Sequence, residues 1–252
     1  METDIVNPLS YLRYLGKGSI PDISYADTVL VLYDNSIAKY LKRNFRTRKI
    51  AGFSFNCYLI EENVVICHGF GIGSPAAVAA AEELIAAGAK QIISVGTAGG
   101  ISPGLKLGDY TVCTKTLSDE GTSQHYVSGL GFIFPDENLT SDLYELIRDH
   151  FENAYKVSTW TTDAPYRETS LALESYQLKG INTVEMESSA LFALGQFRNI
   201  PMASVFVIGD ILSVDGWRPG FLERKVQSNI RLLLIKLIEY YTSFYKPTDR
   251  NL

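Results

Sequence analysis

Three cysteines in a chain of 252 residues are too few for a disulfide or zinc framework. Cys57, Cys67 and Cys113 each lie inside an apolar run and none is spaced as C-x-x-C, which fits buried free thiols in a reducing compartment. A basic excess is missing too. Lys and Arg total 23 against 28 Asp and Glu, a net charge of -5, so nothing marks a nucleic-acid or anionic-membrane partner. No uninterrupted apolar run approaches the ~18 residues of a membrane span. The first residues, with Glu2 and Asp4, lack the apolar core of a secretory signal. Neither a G-x-G-x-x-G fingerprint nor a P-loop lysine is present, and no residue cluster suggests a metal or cofactor. Repeats, linkers and low-complexity tracts are absent. The expectation is one cytoplasmic domain over residues 1–252.

What is present is an ordinary globular composition, 46% hydrophobic and 20% charged, able to fill a large core. Short apolar, β-branched runs occur at 29–33, 63–68, 91–95, 110–114, 155–161, 181–184 and 202–208. Several lack polar alternation, as strands covered on both faces do. Helical patterns lie between them: 75–89, 141–153 opening on Ser141-Asp142 as cap, 187–198 and 221–245. The last places Val226, Ile230, Leu233, Leu234, Leu237, Ile238 and Tyr241 on one stripe. Strand-helix alternation predicts an α/β fold, a three-layer α/β/α sandwich around a mainly parallel twisted sheet. A hairpin over 53–68, turning at Glu61-Glu62, makes that sheet mixed.

Several strand ends carry residues suited to chemistry. At Val184-Glu185-Met186-Glu187 two carboxylates bracket a methionine where a strand turns into a helix, at the edge where open α/β sheets bind small ligands. A free carboxylate there can accept from two neighbouring hydroxyls, as a ribose presents; acids at a helix N-terminus are also favoured for their own sake. Two residues apart on a helix, only one of the pair faces a shared pocket. Gly69, Gly71 and Gly73 alternate between a strand and a helix, either to turn tightly or to aim amides at an anion. Gly96-Thr97-Ala98-Gly99-Gly100 lets a ligand approach closely, and Thr97 offers a hydroxyl and an amide. His125 is either a contact to a substrate hydroxyl or simply exposed. Segment 161–169 is a helix start capped by Asp163 or Thr169, or a base pocket using Tyr166 for stacking and Arg167 for hydrogen bonds. Asp210 ends an apolar strand; it is a helix cap or, if desolvated, a proton-holding general acid. Together these residues read as a site that grips a sugar and works on the bond to its base.

The segments His68 to Pro75, Gly96 to Asp109, Val184 to Leu191 and Val207 to Asp210 resemble the nucleoside phosphorylase family of purine nucleoside and uridine phosphorylases. The resemblance runs from about Ala26 to Leu237. Segments 119–126 and 161–169 look like a uridine-phosphorylase-like branch. It implies an α/β sandwich around a distorted mixed sheet, assembled as a dimer or as a hexamer of three dimers. It implies that Glu187 holds the ribose 2′- and 3′-hydroxyls, that Met186 packs under the sugar and that Thr97 contacts phosphate and ribose near C1′. Asp210 matches the acid that protonates N7 of a leaving purine. That residue points to purines while the branch points to uridine.

Two departures concern phosphate. The family's Gly-Asp-Pro-x-Arg segment is replaced by Tyr33-Asp34-Asn35-Ser36-Ile37, and Ser94 stands where a second arginine is usual. Each lost contact is worth ~1.5–3 kcal/mol. Arg48 matches an arginine that reaches a neighbouring subunit's phosphate. The N-terminal histidine that caps the ribose 5′-hydroxyl from a partner is missing. The expected function is phosphorolysis of a nucleoside: Asp210 and Glu187 catalytic; Thr97, Ala98, Gly99, His125, Tyr166, Arg167, Glu185 and Met186 on the nucleoside; Gly71, Thr97 and Arg48 on phosphate. Phosphate is a co-substrate and no other cofactor is expected. A hydrolase using water, or a non-catalytic nucleoside binder, are the alternatives.

Overall fold

Runs of apolar residues without polar alternation become the middle of one large mixed sheet. The computed structural model describes residues 5–129 and 131–243. The first half comprises α1 (Pro8–Leu15), β1 (Thr28–Leu32), α2 (Asn35–Asn44), β2 (Thr47–Ile50), β3 (Asn56–Ile60), β4 (Val64–His68), α3 (Ser74–Ala86) and β5 (Ile92–Gly100). Then come β6 (Tyr110–Asp119), β7 (Phe132–Ile133), α4 (Glu137–His150), β8 (Ala154–Thr162) and α5 (Ser170–Leu178). β9 (Thr183–Glu185), α6 (Ser188–Arg198), β10 (Met202–Ser213), β11 (Gly216–Pro219) and α7 (Arg224–Ser243) complete the chain.

β1 and β4 are buried at every position because both faces are covered. Val29, Val31, Val65 and Cys67 face a core shared with α3 and α6. Leu30, Leu32, Val64 and Ile66 face a second core shared with α2, α4 and α7. This is the three-layer sandwich. The stripe on α7 from Val226 to Ile238 is buried as expected.

Near the site the sheet closes on itself. β5 pairs with β1 through Ile92–Val95, with β10 along its length, and with β9 at Gly99 and Gly100. β10 continues to β6, β6 to β8 and β8 to β9, so five strands close into a ring. The small residues at the end of β5 make closure possible. A Cβ on Gly99 would stand 2.6 Å from Leu212 and 3.0 Å from Val184, and one on Gly100 2.9 Å from Ile211.

Element ends differ from expectation for local reasons. α4 starts three residues beyond Phe134, with Asp136 accepting from the Leu139 amide at 2.8 Å. Ser141 and Asp142 therefore lie inside that helix and do not cap it. The hairpin begins at Asn56, not 53, and turns at Glu61 with φ 51°. The expected strand 181–184 starts only at Thr183, and the expected helix end at 245 lies outside the described residues. Among the described helices, none is long and apolar enough to cross a membrane.

Candidate active site

β9 runs antiparallel to β5, with Val184 opposite Gly99. The chain beyond Glu185 therefore returns along β5 toward Gly96, where β5 has parted from β1. Glu185 ends the strand and accepts from the amides of Glu187 (2.9 Å) and Ser188 (2.8 Å), from the Ser188 hydroxyl (2.9 Å) and from Thr161. It anchors the α6 N-terminus, and burial raises its carboxyl against the pull of those hydrogen bonds. Its assignment to the nucleoside is thus corrected, and the two glutamates are not on one helix. Glu187 is free to face the other way. Its Oε1 accepts from the Gly73 amide at 2.6 Å, and Ser74 Oγ donates to the Met186 carbonyl at 2.8 Å, fastening this turn to the loop before α3. Gly73, at φ 91°, is buried there. Burial first, and the charge of Glu185 second, push the Glu187 carboxyl up to about 8.

Tyr33, at the end of β1, closes this region from beneath. Its ring passes so near Gly96 that a Cβ there would stand 3.1 Å from it. Its hydroxyl shares a 2.9 Å hydrogen bond with Ser94 Oγ, and the ring meets Phe70 edge-on at 5.6 Å. Burial and then the Glu187 charge hold the phenol protonated, well above its ordinary value.

At the other end of Thr97–Gly99 lies Asp210. The sequence reading ended the strand at 208, but β10 runs on to Ser213, so Asp210 caps no helix. A register shift at Gly209 sets Asp210 opposite Gly99, and Oδ1 would be 3.3 Å from a Cβ on that glycine. Gly209 leaves room for Thr97, whose Cβ would lie 2.9 Å from one on Gly209. Trp217 Nε1 donates to Asp210 Oδ2 at 2.7 Å. Burial raises the Asp210 carboxyl against that hydrogen bond. Glu168, half-buried, is pushed up to about 7 by burial and by the charge of Asp210.

The structure thus brings together Gly71, Thr97, Ala98, Gly99, Met186, Glu187 and Asp210 around the ends of β4, β5, β9 and β10. Gly71 is exposed at φ 109° on the loop between β4 and α3. Tyr166 and Arg167 do not form a base pocket within one chain: Tyr166 is 100% exposed and Arg167 exposed, on a 3-10 turn whose short span leaves no surface for them to cover. Thr169 is the cap of α5, accepting from Ala172, while Asp163 instead accepts from the Gly121 amide. His125 is exposed on a 3-10 turn. Arg48 is exposed on the edge strand β2, separated from Thr97 by β3, β4 and β1. Ile37 is 2% exposed inside the second core.

Sequence reasoning missed Tyr33, Glu168 and Trp217. Tyr33 follows a strand as the other site residues do. Trp217 gave no signal, since β11 is four exposed residues. Two cavities lie elsewhere, one of about 430 Å³ beside Phe134, Phe192 and Met202, the other of about 590 Å³ beside Asp119, Glu120 and Asp163. Among the described residues no group of three His, Cys, Asp or Glu could hold a metal ion.

Chemically, two carboxyls with proton affinities raised by burial, at opposite ends of a small-residue strand, can orient hydroxyls at one end and hydrogen-bond a leaving group at the other. The chain is 33% identical over 163 residues to uncharacterized protein R802 of Acanthamoeba polyphaga mimivirus, covering 64% of this chain and 62% of that protein. It is 29% identical over 154 residues to a guanosine phosphorylase of Halorubrum lacusprofundi, covering 61% of each. The matched stretch thus spans about three fifths of these relatives. A DeoD-type purine nucleoside phosphorylase of Exiguobacterium sibiricum is 27% identical, with 74% of this chain and 83% of that one covered. In fold, purine nucleoside phosphorylase from Toxoplasma gondii superposes with TM-score 0.77 at 20% identity, covering 89% of this chain and 97% of its own. Uridine phosphorylase from Vibrio fischeri gives 0.74 at 22% identity over 88% and 95%. The phosphorylase superfamily model matches residues 29–239, and the chain belongs to that superfamily, the family of the nucleoside phosphorylases.

Proposed function

We propose that this chain cleaves the N-glycosidic bond of a nucleoside by phosphorolysis, as a pentosyltransferase releasing free base and (deoxy)ribose 1-phosphate. The observation that carries the reading is the placement of Glu187 and Asp210 at the two ends of Thr97–Gly99, each with a proton affinity raised by burial. Glycosidic bonds break through a cation-like sugar, so a site should stabilise both that cation and the departing base. Glu187 orients the 2′- and 3′-hydroxyls, and its ionised form stabilises the positive charge that grows on the sugar. Asp210 supplies a proton or hydrogen bond to the base, and its presence favours a purine, whose N7 can accept it. Gly71 and Thr97 form the anion end. Arg48, exposed on an edge strand, serves a neighbouring subunit in a homo-oligomer, a dimer or a trimer of dimers.

Hydrolysis is the second reading, and three observations favour it. Ile37 is spent on the core, the Ser94 hydroxyl is engaged by Tyr33, and Asp34 puts a carboxylate on the α2 N-terminus, accepting from Ser36 at 2.7 Å. Each removes a place for phosphate. Purine and pyrimidine nucleosides incubated with and without phosphate, with products separated by chromatography, decide between the two. Base plus ribose 1-phosphate, formed only with phosphate, is expected. Free ribose formed equally without phosphate would establish hydrolysis.

A further inference from the structure

Trp217 sits on β11, whose four residues are all exposed, and is itself 61% exposed, so burial accounts for little of its presence there. The group it reaches is a buried acid. In the β10–β11 hairpin Asp210 stands opposite Pro219 and Leu212 opposite Trp217, which makes Trp217 the diagonal cross-strand neighbour of Asp210 on the same face. A long aromatic side chain spans that diagonal, and the indole donates to Asp210 Oδ2 at 2.7 Å. The hairpin is fastened at its base, where the Gly220 amide donates to the Gly209 carbonyl at 2.9 Å and a Cβ on Gly220 would stand 2.6 Å from Leu107. At its tip Ser213 Oγ donates to the Gly216 carbonyl at 3.3 Å.

An indole N–H can only donate, so Oδ2 is committed as an acceptor. Oδ1 instead lies beside Gly99, 3.3 Å from where a Cβ of that residue would stand, and a glycine has no side chain to hold it. Among the described residues no other hydrogen bond reaches this carboxyl. The terminal torsion of an aspartate is broad, so without the indole the two oxygens would exchange places. Arg218 of β11 does not stand in for it, lying 3.7 Å from Glu223, and β5 and β9 bring only Gly99 and Val184 to this point. Resting on the leaving-base role given above to Asp210, we propose that Trp217 is a positioning residue: its indole pins Oδ2 to the hairpin, so that Oδ1 alone meets the base. An acid already oriented needs no reorientation when the glycosidic bond breaks, and only that step uses it, so the effect falls on kcat.

The contact can be read without substrate. The protein holds two tryptophans, so nuclear magnetic resonance of an isotope-labelled sample gives two indole N–H signals, one of which Trp217→Phe removes. That signal should move in Asp210→Asn, which changes its acceptor, while the signal of Trp160, which donates to Asp119 at 3.0 Å, stays in place. In steady-state assays Trp217→Phe should lower kcat about 10-fold, the loss expected for one hydrogen bond to a reacting group, with KM and Tm near the wild-type values. Arg218→Ala, on the same exposed strand, should leave kcat unchanged. A Trp217 signal unmoved by Asp210→Asn, an unchanged kcat in Trp217→Phe, or a KM and Tm that worsen along with kcat overturns the positioning role even if nucleosides are cleaved. Absence of nucleoside cleavage by the wild-type chain, with the Trp217 signal still answering to Asp210→Asn, overturns the reading of the reaction on which that role rests and leaves the hydrogen bond a structural one.

Discussion

Glu187 is held where it is at a cost. Buried, and beside Glu185, it keeps a proton up to about pH 8, whereas an unfolded glutamate loses its proton near 4.5. A raised folded-state value means the native state binds the proton more tightly, so the contribution of Glu187 to stability is fully present below about 4.5 and is lost as pH rises through 8. Glu187→Gln removes that penalty while keeping an acceptor for the Gly73 amide. The expected outcome is a higher Tm than wild type at alkaline pH, together with kcat/KM lowered about 10- to 100-fold, the equivalent of one charge-assisted hydrogen bond. A variant destabilised at alkaline pH would contradict the burial argument. Asp210→Asn tests the other end: kcat should fall more than KM rises, because an amide cannot protonate the base. Steady-state kinetics on the best nucleoside of the panel make the comparison.

Strand β5 does what no single side chain could. It leaves β1 at Gly96 to admit the Tyr33 ring, then lets β9 and β10 converge on Gly99 and Gly100. Gly99→Ala puts a methyl 2.6 Å from Leu212 and 3.0 Å from Val184. Overpacking of this kind costs about 1–3 kcal/mol, and here it also pushes Asp210 away from the strand. Chemical denaturation should show the loss in stability, and turnover should fall beyond what the lost folded fraction explains. The first turn of helix α6 depends likewise on Glu185, whose carboxyl accepts from two amides and two hydroxyls.

Across the whole molecule, the sheet is closed at the site and open at β2, which presents Arg48 to solvent at the far edge. If a second copy borrows that arginine, Arg48→Ala should raise the KM for phosphate severalfold with kcat little changed, and sedimentation should show an oligomer. A monomer with unchanged phosphate KM would remove Arg48 from the site. Glu168, at about 7, adds to the pH dependence of the fold in the same sense as Glu187. Thermal melts should therefore fall from mildly acid to mildly alkaline pH, and fall less steeply in Glu187→Gln.

Local sequence was enough for the strand-helix alternation, the stripe on α7, and the small-residue and carboxylate segments, because period, apolar content and strand-end position are properties of neighbours along the chain. It was enough also to place Glu187 just past a strand end, though Asp210 lies within β10 and not at its end. It could not show that Glu185 turns inward while Glu187 faces Gly73, since that division follows from the antiparallel return of β9 along β5. Nor could it show that the sheet closes, that Tyr33 covers Ser94, or that Trp217 meets Asp210. Those contacts join residues 7 to 114 positions apart, and their proton affinities come from burial, which exists only once the layers have packed.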